Sequence, residues 1–426
     1  MNSRLTTLST LTDPAETSGA QGTLRAEPID SRAALEPHLK NWRLLAAGRP
    51  MRSPEWLLTW WETFAEPTDK LFVISVTDVE GRLVGLAPLY QQNKGRMIVL
   101  RVLGARDHCT HHTDWLSLPG YEKEVGRAVA QVLLLRQRDW QRLLFETVDE
   151  DASALRSTME YLDEKKSIVH KRRINSCWKI SLPPTWDDYL KTLSRSLRKR
   201  CRKLHRDYFE TGSICLRQVE KLEDLPKGLA LLQKLHAMRW GTPRQPRGVF
   251  SDPRFSSFHE KVARSLLTSG QLRLAWLERG GVPVAAEYQF FDEDTLYAYQ
   301  AGLDVATGSY SGKLSMTAAI RFAIDHNFRW FDLLGGDEPY KANWRATAVE
   351  CHDWRAWPRS FRGYGESACW RIYMTTAKGL KSLLPNQVIQ RLLRQSSRVR
   401  EFVGYQDTRR RKSFLRKHSK PKGADS

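Results

Sequence analysis

Two stretches in the second half of the chain gather side chains that could do chemistry. The first is ATGSYSGK, residues 306–313, which runs straight into the apolar-periodic LSMTAAIRFAIDHN. A Gly/Ser loop that opens a helix leaves backbone N–H groups unpaired at the positive end of the helix dipole, which suits a phosphate or pyrophosphate. Gly308 and Gly312 let a ligand approach the backbone, and Lys313 adds a cation. The spacing is not that of a Walker loop: Gly308 and Gly312 stand one residue too close, and Leu314 replaces the required Ser or Thr. Nor does it match G-x-G-x-x-G. A plain loop with a Ser N-cap is the competing reading.

The second stretch is GGDEPYKANWR, residues 335–345, directly after an apolar run. Gly335 and Gly336 would admit a substrate to the backbone ahead of Asp337, Glu338, Tyr340, Lys341, Trp344 and Arg345. Loops held by a buried strand commonly carry chemistry. A solvated Asp-Glu-Pro corner is the alternative.

Three further groups stand out. Lys191–Arg206 holds eight Lys/Arg and no acid, with Arg195, Arg198, Arg202 and Arg206 spaced along one helical face. That face suits the phosphates of tRNA or CoA, or an anionic polysaccharide. A solvated helix packing Leu190, Leu193, Leu197 and Leu204 inward reads equally well. The run His108-Cys109-Thr110-His111-His112-Thr113-Asp114 offers metal-ligand types without H-E-x-x-H spacing or an evident distant partner. It reads as a loop with Asp114 as a turn or structural residue, and no metal is expected. His236 and Arg239, on a helix ending at Trp240, face a cleft or form a satisfied core pair. No Ser-His-Asp or Cys-His order points to covalent catalysis.

The elements that must position these groups follow from pattern. The chain has 426 residues, 41% apolar and 27% charged, an ordinary globular balance with room for a large core. Lys and Arg exceed Asp and Glu by 68 to 48, a net charge of +20 that favours anionic partners. No apolar run approaches the ~18 residues of a membrane span. The six cysteines form no C-x-x-C pair, and no secretory signal opens the sequence. Reduced thiols and a cytoplasmic location are expected. Residues 1–31 read as a disordered leader. Strands are predicted at Leu71–Thr77, Leu83–Tyr90, Met97–Leu103 and Trp140–Thr147, with helices at Glu124–Arg136 and Ala152–Lys165. The order recurs later: strands at Leu272–Glu278, Val282–Phe291, Thr295–Leu303 and Trp330–Leu334, with a helix at Leu314–Asp325. Between the halves lie helices at Trp186–Tyr208, Leu225–Trp240 and Asp252–Leu267. A basic helical tail follows residue 365 and ends without structure.

The YSGK helix start, the following strand and GDEPYKANW together resemble the GNAT acyltransferase superfamily. Within it they resemble the branch of Fem-type aminoacyltransferases and CelD/BioF-type acetyltransferase-like proteins. SLRKRCRKLHRDY is similar to the branch's basic helix, and LLQKLHAMRW to its Trp-ended helix. The resemblance covers about residues 40–365. It implies an α/β fold of two tandem GNAT-like domains with mixed central sheets, at 32–180 and 181–365, plus the basic helical extension 366–426. The first domain is expected to be degenerate, since its loop after Leu103 lacks the Gly/Ser signature. The resemblance implies acetyl-CoA as cosubstrate and an amine or hydroxyl acceptor, small-molecule or envelope-polysaccharide-related. The strand through Gly302 would meet the pantetheine arm, and Ser311, Gly312 and Lys313 the pyrophosphate. Tyr340 would protonate the leaving thiolate. Glu287 would be the general base, or else a structural carboxylate paired with Arg or Lys. Asp337, Glu338 and Lys341 would orient the acceptor, with Trp344, His236 and Arg239 lining its site. The usual pyrophosphate loop Q/R-x-x-G-x-G/A is absent, which keeps two alternatives open. One is a Fem-type enzyme using aminoacyl-tRNA. The other is an inactive scaffold binding nucleic acid or partners through Lys191–Arg206 and the basic tail.

Overall fold

The computed structural model describes residues 24–383, apart from residues 96, 106–108, 244 and 307–309. The first half runs β1 (Arg25–Ile29), α1 (Arg32–Leu35), α2 (Leu39–Ala46), α3 (Pro54–Phe64), β2 (Lys70–Leu71), β3 (Val73–Thr77), β4 (Leu83–Ala87), β5 (Leu89–Lys94), β6 (Met97–Val102), β7 (Leu116–Ser117), α4 (Glu122–Leu135), β8 (Arg142–Asp149), α5 (Ser153–Glu164) and β9 (Ile168–Ser181). The second runs α6 (Trp186–Thr192), α7 (Arg195–Leu204), β10 (Ile214–Gln218), α8 (Leu225–Trp240), α9 (Pro253–Thr268), β11 (Leu272–Arg279), β12 (Val282–Phe291), β13 (Thr295–Leu303), α10 (Ser311–Asp325), β14 (Trp330–Gly335), α11 (Tyr340–Asn343), β15 (Thr347–Trp357) and α12 (Phe361–Leu383). Both halves are α/β with mixed sheets, and the repeat of element order is real.

Three sequence expectations change. Arg25–Ile29 pairs with Val73–Thr77, so the leader expected through residue 31 gives way to a strand, while residues 1–23 lie outside the described residues. The strand expected over Leu83–Tyr90 divides at Pro88, which has no N–H to give a ladder, and β4 and β5 enter different sheets. The single helix expected over Trp186–Tyr208 breaks at Leu193, because Ser194 caps a new helix by accepting from Leu197 N at 3.4 Å. The unstructured end expected of the tail lies outside the described residues.

The halves are interlocked. Among the described residues one sheet has eleven strands in the order β10-β11-β12-β13-β14-β9-β15-β8-β6-β5-β2. β9 leaves the first half to pair with β14 of the second, and β15 returns to pair with β8 of the first. Between them β9 and β15 pair antiparallel from Thr347↔Lys179 to Trp357↔Ile168. Each half therefore completes the other's sheet. A four-stranded sheet, β1-β3-β4-β7, stands beside it.

One apolar cluster also spans both halves. Trp56 of α3 meets Phe258 of α9 at 5.3 Å, Phe290 of β12 at 5.2 Å and Tyr299 of β13 at 5.5 Å, all edge-on. Edge-to-face packing of this kind adds to the area term. His259 sits inside this aromatic box, and burial without compensating charge lowers its pKa to about 3. It is a neutral core residue. No described helix is long and apolar enough to cross a membrane.

Candidate active site

The second half contains a gap made by its own strand geometry. β13 and β14 pair in parallel only from Thr295↔Trp330 to Tyr297↔Asp332, and then separate. A register shift in the β12–β13 ladder skips Tyr299, a bulge that bends β13 at the mouth of the gap. On the other side β14 is turned by Leu334, at φ 53°, and Gly336, at φ 118°. Such angles cost a non-Gly residue free energy, so the turn needs external support. Asp332 provides part of it by accepting from Leu334 N at 2.7 Å.

Gly336 N adds a hydrogen bond to Ser176 O at 3.1 Å, and Lys341 provides the largest share. Its ammonium is buried and donates to the carbonyls of Leu333, Leu334, Gly335 and Gly336 at 3.0–3.2 Å. Glu338 Oε2 lies 3.2 Å from the same nitrogen. Three N–H groups already surrounded by five acceptors cannot also hold an acceptor substrate. The expectation that Lys341 orients substrate is corrected: it clamps the bend.

α10 begins beside the gap, at the end of β13. Ser311 is buried at its first turn, and a Cβ at Gly312 would meet Leu303 Cδ1 at 3.2 Å. Lys313 is partly buried, and burial together with Arg200 lowers its pKa. Arg200 therefore places the basic helix α7 next to the start of α10, a link that Thr317 and Cys201 repeat at 3.9 Å one turn on. Two cations and a helix N-terminus converge there, which is the electrostatics an anion needs. Gly308, part of the same loop, lies outside the described residues. Tyr310 stacks on Tyr208 at 5.5 Å and accepts from Arg279 at 2.8 Å, on the α10 side of β11 and β12.

Glu287 projects from β12 toward α10, where Ser315 Oγ donates to its carboxylate. Burial raises its pKa, opposed by Ser315, Arg239 and Arg273. It lines a recess of about 10 Å³ with Arg273, Ser315 and Ala318, room for roughly one water. Its ladder partner is Ala301 on β13, so it stands one strand from the gap. Burial is what a carboxylate needs to act as a base near neutral pH.

The other expected residues divide. Tyr340 opens α11 and is 39% exposed at the rim of the bend. Asp337 Oδ1 accepts from Ser176 N at 3.2 Å and Trp178 Nε1 at 3.3 Å, tying the loop to β9. Glu338 is committed to Lys341. Arg239 lies over the Trp240 ring at 4.6 Å, near enough to Glu287 to influence its charge. Gly302 is required by close packing, since a Cβ there would stand 2.5 Å from His236 N on α8. Two expectations are corrected. Trp344 is 4% exposed in a core with Tyr189, Leu193 and Phe331, and its carbonyl accepts from Tyr189 OH at 2.9 Å. His236 is buried against Phe250, with Nδ1 3.3 Å from Arg247 O. Neither lines an acceptor site.

Sequence reasoning named His111 and His112 in a first-half loop but missed where they go and the Asn175, Asp149 and Asp332 side chains they meet. A Cβ at Gly335 would stand 3.0 Å from His111 Cε1 and 3.4 Å from Asn175 Nδ2, so both side chains reach the end of β14. His112 follows, with Nδ1 2.5 Å from Asp149 Oδ2 and Nε2 3.1 Å from Asp332 Oδ2. Burial opposes a charge there, but the two carboxylates raise the imidazole pKa well above its ordinary value. Asp114 caps α5 by accepting from Leu155 N at 2.8 Å, the structural role expected of it. In the first half β6 and β8 also pair in parallel and part after Arg101↔Leu144, but Thr113 bridges to Val148 and closes that gap.

Residues 195–342 match the family described as an acetyltransferase (GNAT) domain, a span from α7 through most of α11 that contains the gap and the bend. This part of the chain carries a GNAT domain. Its fold is similar to that of FemX, with 11% identity, a TM-score of 0.50, and 71% of this chain and 90% of that one covered. A tandem GNAT protein from the clavulanic acid biosynthesis pathway is 13% identical, with a TM-score of 0.42 over 78% of this chain and 98% of that one. The C-terminal domain of a putative lysylphosphatidylglycerol synthetase from Agrobacterium fabrum is 10% identical, with a TM-score of 0.46 over 77% and 94%. No curated protein sequence matches the chain.

Proposed function

We propose that the protein is an acyltransferase whose second half takes an acyl group, acetyl in the first instance, from a CoA thioester. The acceptor is an amine or hydroxyl of a small molecule or a polysaccharide-related compound. One observation carries the reading: a parallel strand pair opens beside a helix N-terminus flanked by Lys313 and Arg200. An extended thioester arm fits the unpaired edge of β13, and its phosphates fit the cations. The acceptor nitrogen or oxygen attacks the thioester carbonyl and the C–S bond breaks. The acceptor's proton passes to Glu287 through the water its recess has room for, and Tyr340 returns a proton to the thiolate.

A Fem-type reading, with aminoacyl-tRNA as donor, is favoured by the basic face of α7. It is weakened by where the intervening helices go, since α8 packs on β12 and β13 and α9 on α3 and β11 instead of forming a projecting arm. Thermal unfolding with acetyl-CoA and with tRNA separates the two. A ligand at 100 times its Kd adds about 2.7 kcal/mol, a shift of a few degrees for a chain this size. A shift with acetyl-CoA and not with tRNA is expected, and Tyr340→Phe should lower turnover with Tm unchanged. A tRNA-only shift would replace the CoA reading with the Fem-type or nucleic-acid-binding one, and a shift with neither would leave a scaffold for other partners.

Glu287→Gln should reduce turnover by about 10²–10⁴-fold. The same change should raise stability at neutral pH. A carboxyl whose pKa is raised by folding holds its proton more tightly in the native state, so stability falls as pH rises from 4.5 through the raised value. Glutamine never ionises and removes that loss. Wild-type turnover should rise with pH across the same window. Unfolding midpoints at pH 4 and pH 8 check the first claim and a pH–rate profile the second; unchanged turnover in the variant would remove Glu287 from the mechanism.

A further inference from the structure

The interlocked strands bring together a row of ligand-type side chains that acyl transfer does not use. Asp149 ends β8, Cys351 lies on β15, Cys177 on β9 and Asp332 on β14, which are four consecutive strands of the sheet. Cys351 is the ladder partner of Asp149. Its sulfur lies 3.4 Å from Asp149 Oδ1 and 3.3 Å from Cys177 Sγ. Both thiols are free and almost wholly buried. His112 enters this row from the first-half loop, so that one ligand atom each from His112, Asp149 and Cys177 lies within 4.8 Å of the others.

We propose that His112, Asp149 and Cys177, with the Cys351 thiol beside them, bind one divalent transition ion of zinc-like preference at the seam between the two halves. Mixed imidazole, carboxylate and thiolate donors suit Zn²⁺ better than Mg²⁺ or Ca²⁺, which take oxygen ligands. The second ring nitrogen of His112 faces Asp332 at 3.1 Å. A carboxylate on the far nitrogen is the outer support that metal-bound histidines regularly have, and it leaves Nδ1 for the ion. In the metal-free chain a proton on Nδ1 joins His112 to Asp149 at 2.5 Å. Tetrahedral bonds of about 2.0–2.3 Å would separate the donor atoms by roughly 3.3–3.8 Å, so the His112–Asp149 pair has to open and the wider separations to close, each by about 1 Å. Binding displaces protons to solvent from His112 Nδ1 and the coordinating thiols. Arg52 Nη2 donates to His112 O at 2.9 Å and holds the loop in place without occupying the ring. The ion would staple β8, β9 and β15 where the halves exchange strands.

The test uses untagged full-length protein kept reduced. Elemental analysis after purification without chelators should find about one zinc per chain, and chelation should lower Tm. Co²⁺ added to the metal-free protein should give intense near-ultraviolet thiolate charge transfer and the visible bands of a tetrahedral ion. Cys177→Ser should lose the charge-transfer band, and His112→Ala should weaken binding at least tenfold. Less than a tenth of an equivalent of zinc together with no cobalt spectrum would overturn the proposal. So would an unchanged spectrum in folded Cys177→Ser, or a native mass two hydrogens short from a Cys177–Cys351 disulfide. If Cys177→Ser fails to fold, the wild-type stoichiometry and spectrum decide alone. None of these readouts depends on acyl transfer.

Discussion

Lys341→Met is expected to cost about 3–5 kcal/mol of stability and to abolish turnover. The side chain is nearly isosteric, so the loss isolates the charge. Removing it leaves four carbonyls of the Leu333–Gly336 bend and the Glu338 carboxylate without their shared donor. Breaking a buried pair by deleting one partner strands the other, which is where a cost of that size arises. The chemical consequence follows from the backbone. Leu334 at φ 53° is held against its own preference, and without the lysine the bend would rest on Asp332 and on the tie of Gly336 N to Ser176 O. The bend should relax, the gap between β13 and β14 should change shape, and Tyr340, one residue before the clamp, should move with it. Urea unfolding measures the first effect as a lower midpoint at unchanged slope. A second substitution makes the argument sharper. Lys341→Met with Glu338→Gln removes the stranded carboxylate and should recover 1 kcal/mol or more, a coupling that a purely packing role would not produce. A single-mutant loss under about 1 kcal/mol would show that the bend stands without its lysine.

The second half was largely legible in the sequence because its elements announce themselves locally. Val282–Phe291 and Thr295–Leu303 are strands with the bounds that alternation predicts, and a helix and then a strand follow over residues 311–335 as read. Glu287 was named through the resemblance, on a strand whose bounds were read from alternation. Lys341 and Trp344 were found as members of a polar loop, but their roles were not, because the loop's short helix turns both side chains inward. β9 and β15 went unread for a physical reason. Their buried positions include Asp353 and Arg355, and Arg172 bonds Asp353 at 2.6 Å, so charge interrupts the apolar alternation that marks a strand. Missing those two strands hid everything they assemble. The partners of His112 lie 37 residues away at Asp149 and on strands from both halves, and no spacing rule connects them until the strand exchange is known. The shared aromatic core was hidden in the same way: Trp56 and Phe258 belong to different halves, and each reads alone as an ordinary helix core position.

That exchange yields the second large effect. Neither residues 1–181 nor residues 182–426 should fold alone. The first fragment keeps β8 and β9 but loses β15, which lies between them and is hydrogen-bonded to both. The second keeps β14 and β15 but loses β9, again the strand between. Each would present two open strand edges in the middle of a sheet and half of one apolar cluster, with Trp56 parted from Phe258, Phe290 and Tyr299. Exposed edges and a halved core favour aggregation over folding. Far-ultraviolet circular dichroism with urea titration should show no cooperative transition for either fragment. Co-expression of the two should restore a soluble pair with one transition near that of the intact chain, since the exchanged strands carry their own pairing information. Two tandem domains joined merely by a linker would behave oppositely, with the 182–426 fragment folding and binding acetyl-CoA unaided. Cooperative unfolding of that fragment would therefore separate GNAT architecture, which it would still possess, from the interdependence argued here. The functional meaning of the interdependence lies at Gly335. His111 and Asn175 reach it from the first half, on a loop and a strand that have no place to stand unless β9 and β15 are exchanged. The half that lacks an open gap of its own thus supplies side chains to the half that has one.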